Sequence, residues 1–243
     1  QPDLENILIL SLEPGSDVLK AAAELRRDPA VVYAEPDYRV SICATPNDPY
    51  YSSSRSWGQP YPDLWGLRAI KAGSAWDITT GGSSVVVAVV DTGLDFSHPD
   101  IQGRVWSNPG EVADNGVDDD GNGFIDDTRG WDFTNDDNDP TDRHGHGTHC
   151  SGTIGAATNN GVGVAGINWA GKIMPVKGLG DWGSGYHSWL ANAMRYAADN
   201  GADVMSNSWG GYGYSQVIQD AVNHSYGQGC IVVAAAGNEY DDA

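Results

Sequence analysis

Cysteine is scarce: Cys43, Cys150 and Cys230 are the only three in 243 residues, an odd set without paired spacing. No disulfide framework can be read from them, and at least one thiol is expected to be free. Basic residues are scarce too, 13 Lys and Arg against 33 Asp and Glu, for a formal net charge of −20. That balance argues against nucleic acid or an anionic membrane as partner, because both would repel the chain. Long apolar runs are missing: the longest, Ile231 to Ala236, is far too short to span a bilayer. No cleavable leader is visible, although the chain begins at Gln1 rather than Met.

What is present suits a globular chain. With 40% hydrophobic content, 243 residues can bury a sizeable core as one domain plus a small appendage. The first forty residues read as one β-α-β unit. Asn6 to Leu12 is strand-like, Ser16 caps a helix carrying Val18, Leu19, Ala22 and Leu25, and Val31 to Tyr33 is extended. Such a unit is too small for a core of its own. The stretch 41–66 is rich in Pro, Tyr, Ser and Trp and marks a boundary near Cys43, giving units 1–42 and 43–243.

Beyond it, Val85 to Val90, Ile173 to Val176, Val204-Met205 and Cys230 to Ala236 are continuous apolar runs, the pattern of parallel strands covered on both faces. Helical spacing appears between them, at Trp189, Leu190, Ala193, Met194 and Ala197 before Asn200-Gly201, and at Val217, Ile218, Ala221 and Val222 after Ser215. The expected fold is α/β, a doubly wound, mostly parallel sheet with helices on both faces, preceded by a small α+β piece. In such sheets working residues sit where strands end, which singles out Asp91 after the first run and Asn238 after the last.

His144-Gly145-His146-Gly147-Thr148-His149-Cys150 offers two chemistries. Three imidazoles at His-x-His-x-x-His spacing could bind zinc, but the glycines soften the ligand geometry and no acidic base lies inside the triplet. The other reading is a catalytic base, His146, at a helix start, with Asp91 upstream in one of the known orders of a serine-protease triad. Val90-Asp91-Thr92-Gly93, His146-Gly147-Thr148-His149-Cys150-Ser151-Gly152-Thr153 and Ala235-Ala236-Gly237-Asn238-Glu239 resemble three signature blocks of the subtilisin-like serine proteases. Cys150 and Pro46-Asn47-Asp48-Pro49-Tyr50-Tyr51 are most similar to its thermitase-like branch.

The resemblance implies a serine endopeptidase, secreted, monomeric and acting on polypeptides. Asp91 would orient His146, His146 would take the proton of a nucleophilic serine, and Asn238 would donate to the oxyanion. Gly183-Ser184-Gly185 and Ser208-Trp209-Gly210 resemble the two segments between which a peptide binds as an added strand. Trp209 stands where many relatives carry a smaller aliphatic residue, so it reads either as pocket wall or as core aromatic. Cys150 is expected to be a buried, non-catalytic thiol.

Calcium is the expected cofactor. Asp118, Asp120 and Asn122 fall at positions one, three and five of a loop with Gly123 at six, much as in an EF-hand, but position twelve is Arg129. The expected set is Asp118, Asp120, Asn122, Phe124 and Asp127. By the resemblance, a second site uses Asp132, Asn135, Asp137, Asp139 and Thr141, and a third uses Asp48, Asp100, Asn160, Val162 and Val164. A solvated acidic surface is the alternative, but carboxylates this dense would repel one another without cations.

Residues 5–40 resemble the later half of the family's inhibitory propeptide, which acts as folding aid and inhibitor until cleaved, here between Tyr38 and Pro46. The family's Gly-Thr-Ser nucleophile block occurs nowhere in the sequence. The expectation is therefore a fragment of a protease precursor, inactive as it stands. A non-catalytic calcium-binding relative and a zinc hydrolase on His144, His146 and His149 are the alternatives.

Overall fold

Val85 to Val90 has no polar side chain to turn toward water, so a strand there must be covered from both sides. The computed structural model describes residues 7–38, 44–211 and 213–238, and the chain divides into units Gln1–Ile42 and Cys43–Ala243. The linker expected near Cys43 lies outside the described residues.

The described part of the first unit holds one helix, α1 (Val18–Leu25), and no strand. Its N-cap is Asp17 rather than Ser16: the Asp17 carboxylate accepts the Lys20 amide at 3.0 Å. Of the helix residues only Ala22 is buried, while Leu8, Ile9 and Val32 are exposed. The expected β-α-β pattern is thus absent among residues 7–38. An extended segment becomes a strand only when a ladder partner takes up its backbone groups, and so small a unit has little core to hold one.

The second unit opens with three short helices, α2 (Pro49–Ser52), α3 (Trp65–Ala69) and α4 (Ala72–Trp76). Leu67, Ala72 and Trp76 form their own small core with Ala165. Then come β1 (Val86–Asp91), β2 (Trp131–Asp132), α5 (His146–Gly155), β3 (Lys172–Lys177), α6 (His187–Asp199), β4 (Val204–Asn207), α7 (Gln216–Gly227) and β5 (Ile231–Ala234). The five strands form one parallel sheet in the order β2-β3-β1-β4-β5.

Period-two alternation along β1 explains the layers. Ala88 and Val90 face one way and pack with Met174, Val176 and Met205 against Leu190, Ala193, Met194 and Ala197 of α6. Val87 and Val89 face the other way and meet Cys150 and Ile154 of α5. Met174 and Met205, both fully buried, each contribute roughly 1.5–3 kcal/mol by leaving water. Helix α6 stops where the sequence indicates: Gly201 adopts φ 81°, its amide bonds to the Ala198 carbonyl at 3.2 Å, and the Ala202 amide returns to Ala197 at 3.0 Å.

One strand departs from expectation. The run Cys230 to Ala236 reads as covered on both faces, yet in β5 Ile231 is 62% and Val233 50% exposed. Among the described residues β5 is the edge of the sheet, with β4 as its one neighbour. No helix of the described residues is long and apolar enough to cross a membrane.

Candidate active site

Asp91 ends β1, the central strand, and is fully buried. One of its carboxylate oxygens, Oδ1, accepts the Thr92 amide at 2.7 Å and lies 2.7 Å from Nδ1 of His146, the first residue of α5. With Nδ1 committed to Asp91, the other ring nitrogen, Nε2, is left for proton transfer, and the imidazole side chain is 43% exposed. The approach of helix to strand depends on glycine: a Cβ at Gly147 would collide with the Gly93 carbonyl oxygen.

Asp142, which the sequence reading passed over, holds this helix start. Its Oδ1 accepts the amides of His144 at 2.9 Å and Gly145 at 2.8 Å and the hydroxyl of Thr92 at 2.9 Å. Its Oδ2 accepts the amide and hydroxyl of Thr148 at 2.9 and 2.7 Å. Thr92 Oγ1 in turn accepts the Gly147 amide at 2.9 Å, so one side chain links the turn after β1 to the turn that begins α5. An acidic side chain also suits the positive end of a helix dipole. At the far end of α5, Arg104 donates to the Gly155 carbonyl at 3.0 Å, a cation where the dipole is negative.

Burial would raise the Asp142 carboxyl, but the donors from Gly145, Thr148 and His144 outweigh it and hold its pKa at about 2, below the ordinary 3.8. A carboxyl depressed in the folded state stabilises above its unfolded pKa, and that stabilisation disappears as pH falls through the folded value. We therefore expect Asp142→Asn to lower stability near neutrality by roughly 1–2 kcal/mol, discounting for partial exposure, with the deficit closing between about pH 4 and pH 2. Urea unfolding of both proteins across that range checks this; a deficit independent of pH would show that the charge contributes nothing.

Cys150, one turn after His146, brings Sγ to 4.0 Å from the same Nδ1. Burial pushes its thiol pKa up, and the Asp91 and Asp142 carboxylates add to the rise despite a contact with Ser208. It is a neutral thiol, not an activated one. Cys150, half-buried rather than buried as expected, and the buried Cys230 are both free, and Cys43 lies outside the described residues.

The three histidines do not converge. Among the described residues the metal-type side chains that gather in threes are Asp91 with His146 and Cys150, and Glu111 with Asp120 and Asp127. His144 rests against the backbone of Gly183, His146 faces Asp91, and His149 is exposed on the next part of α5. The zinc alternative fails because His144, His146 and His149 do not gather as one ligand set among the described residues, His146 being bonded to Asp91 and His149 exposed.

Of the segments expected to bind peptide, Gly183-Ser184-Gly185 belongs to a tight loop after β3, in which the Gly180 amide bonds to the Ser184 carbonyl at 2.8 Å. Ser184 and Gly185 line a cavity of about 500 Å³ with Trp182, Tyr186 and Trp189. Ser208-Trp209-Gly210 follows β4 and does not line that cavity. Trp209 packs on the main core, and its indole N–H donates to the Val90 carbonyl at 3.0 Å, so it is anchored to the strand that carries Asp91. Asn238 lies exposed four residues beyond the C-terminal end of β5, as Asp91 lies at the C-terminal end of β1, and Glu239 is outside the described residues.

One of the oxygen-rich clusters is assembled from distant parts of the chain, and two are local. Asp48 and Asp100, 2% and 1% exposed, meet at the loop after α5: Asp48 accepts the Asn159 amide at 2.7 Å, and Asp100 accepts the Asn160 side-chain amide at 2.9 Å and the Val164 amide at 2.7 Å. Asn160 turns its own oxygen to the Val162 amide at 2.8 Å. Asp132 and Asp137 face each other across reciprocal backbone bonds, with Asn135 bonded to Asp132 and Thr141 to Asp139. In the remaining loop, Glu111, which the sequence reading missed, joins Asp120 and Asp127. Asp118 instead caps the amides of Gly121, Asn122 and Gly123, and the Phe124 amide bonds to Asn122. All three donor sets are hard oxygens on preformed turns, each with at least one fully buried carboxylate (Asp48 and Asp100, Asp132, Asp127), which fits calcium.

A sequence profile described as the subtilase family matches residues 82–243. The chain belongs to the subtilase family. Thermitase of Thermoactinomyces vulgaris is 40% identical over 194 residues, covering 80% of this chain and 58% of thermitase. The thermophilic serine proteinase of Bacillus sp. (strain AK1) is 38% identical over 215 residues, 88% of this chain and 46% of that protein. Subtilisin E of Bacillus subtilis (strain 168) is 34% identical over 222 residues, 90% and 47% respectively. The chain thus spans about half the length of the curated relatives it matches, and its resemblance to the thermitase-like branch extends over most of its own length.

Proposed function

We propose that this subtilase is part of a secreted, calcium-dependent serine endopeptidase precursor that hydrolyses peptide bonds through an Asp-His-Ser triad. The observation that carries the reading is the 2.7 Å contact between a fully buried Asp91 and Nδ1 of a half-exposed His146. Asp91 fixes the tautomer and stabilises the imidazolium, while His146 Nε2 takes the serine proton and returns it to the leaving amine. Asn238 donates its side-chain amide to the oxyanion. The polypeptide lies as an added strand between Gly183–Gly185 and Ser208–Gly210.

The nucleophilic serine is not among these residues, whose sequence holds no Gly-Thr-Ser block. Residues 1–42 act as part of the inhibitory propeptide and folding aid, and the mature protein is a monomer. Calcium, when bound, supplies charge neutralisation and loop rigidity rather than chemistry. Asp48, Asp100, Asn160 and the carbonyls of Val162 and Val164 hold one ion; Asp132, Asn135, Asp137, Asp139 and Thr141 hold a second; Asp118, Asp120, Asn122, Phe124 and Asp127, joined by Glu111, hold a third.

The first test uses these 243 residues alone. The purified chain is expected to release no fragments from casein, because its sequence holds no Gly-Thr-Ser nucleophile block. Casein turnover that disappears on His146→Ala would overturn that assignment.

A further inference from the structure

Among the fully buried side chains of the described residues, Lys177 is the largest, 1% exposed at the end of β3 and in register with Asp91. A buried ammonium has three donors to satisfy. Lys177 Nζ meets three acceptors: the Asp181 carboxylate at 2.6 Å, the Thr92 carbonyl at 3.1 Å and the Thr141 carbonyl at 3.4 Å. They lie on three separate segments, namely the loop after β3, the turn that follows Asp91, and the end of the acidic loop just before Asp142.

A well-packed apolar side chain at this position would generally be no less stable than a buried ion pair, so stability alone does not account for a lysine. Geometry does. Thr92 is the residue whose hydroxyl bridges the Gly147 amide and Asp142. Asp181 sits inside the tight loop closed by Gly180 and Ser184, in which the Gly183 amide also bonds to the Gly180 carbonyl at 2.9 Å. One ammonium therefore ties the turn holding the Asp91–His146 pair to the segment that carries Gly183–Gly185.

We propose that Lys177 is a positioning residue that locks the Gly180–Gly185 segment against the Asp91 turn, and so sets where a bound peptide lies relative to His146. Its bearing on peptide placement rests on the peptidase reading above.

Hydrogen exchange on the full chain tests the lock without any substrate. Lys177→Met removes the ammonium, and Asp181→Asn, at the half-exposed end of the tie, weakens it without touching the core. Both are expected to speed exchange of the Gly180 and Gly183 amides by about tenfold or more, while the amides of α6 and β4 keep their rates. Unchanged rates at Gly180 and Gly183 in Asp181→Asn, or acceleration that α6 and β4 share equally, would overturn the proposal. In protein that carries the serine, the same substitutions are expected to raise KM for a tetrapeptide amide severalfold with kcat changed less. An inactive parent protein would sink the peptidase reading instead, leaving the exchange rates to decide the role of Lys177.

Discussion

In protein that carries the nucleophilic serine, His146→Ala is expected to lower kcat for a peptide amide by about a millionfold and Asp91→Asn by about ten-thousandfold, sizes borrowed from other serine proteases with an Asp-His-Ser triad. The asymmetry has a structural cause. His146 moves the proton, so its loss removes the step, whereas Asp91 acts through the 2.7 Å contact with Nδ1 and its amide replacement leaves the imidazole in the wrong tautomer. Cys150→Ser is the control: its thiol is neutral and 4.0 Å from Nδ1, so kcat should change by less than about tenfold. Steady-state kinetics on the three variants decide the matter. A His146→Ala protein within tenfold of the parent would remove His146 from the mechanism.

Chelation of calcium is expected to lower the unfolding temperature of this chain sharply, and re-addition to restore it. An ion at about a hundred times its dissociation constant stabilises by about 2.7 kcal/mol. For a domain of this size that is roughly 5–10 °C for each site. The site built on Asp48, Asp100 and Asn160 should account for one such step, because its two carboxylates are 2% and 1% exposed and, among the described residues, are met by amide donors rather than by a cationic side chain. Asp100→Asn should therefore lose one bound calcium by metal analysis and reduce the response to chelator without abolishing it. An unfolding temperature indifferent to chelator would dispose of all three sites together. The same dependence would make chelator sensitivity useless as evidence for zinc chemistry, since loss of calcium would itself inactivate by unfolding.

Much of the fold was legible in local pattern. The apolar runs became β1, β3, β4 and β5, most plainly in β1 and β3, where a parallel strand buried on both faces has few polar positions to disguise it; α6 and α7 kept their helical spacing, and α6 its glycine stop. Two places failed for lack of a neighbour. Residues 7–12 read as a strand but pair with nothing among the described residues, and β5 reads as fully covered but is an exposed edge. Pattern shows which side chains want burial and is silent on what will cover them. Trp131–Asp132, too short for any periodicity, became β2 only because β3 supplies its ladder.

The sequence by itself determined the chemistry available: an Asp at the end of an apolar strand, a His at a glycine-flanked helix start, and oxygens at loop spacing. Those are short-range facts, set by residue type and by separations of a few positions. Only the tertiary structure decided which groups meet. It put Asp91 and His146 in contact across 55 positions and joined Asp48 to the Asn160 loop across 112. It also brought Glu111 into the acidic cluster and gathered Thr92, Thr141 and Asp181 around one buried lysine. Such meetings follow from sheet order and helix packing. They depend on the whole chain burying its apolar faces at once, and no local pattern of residues encodes them.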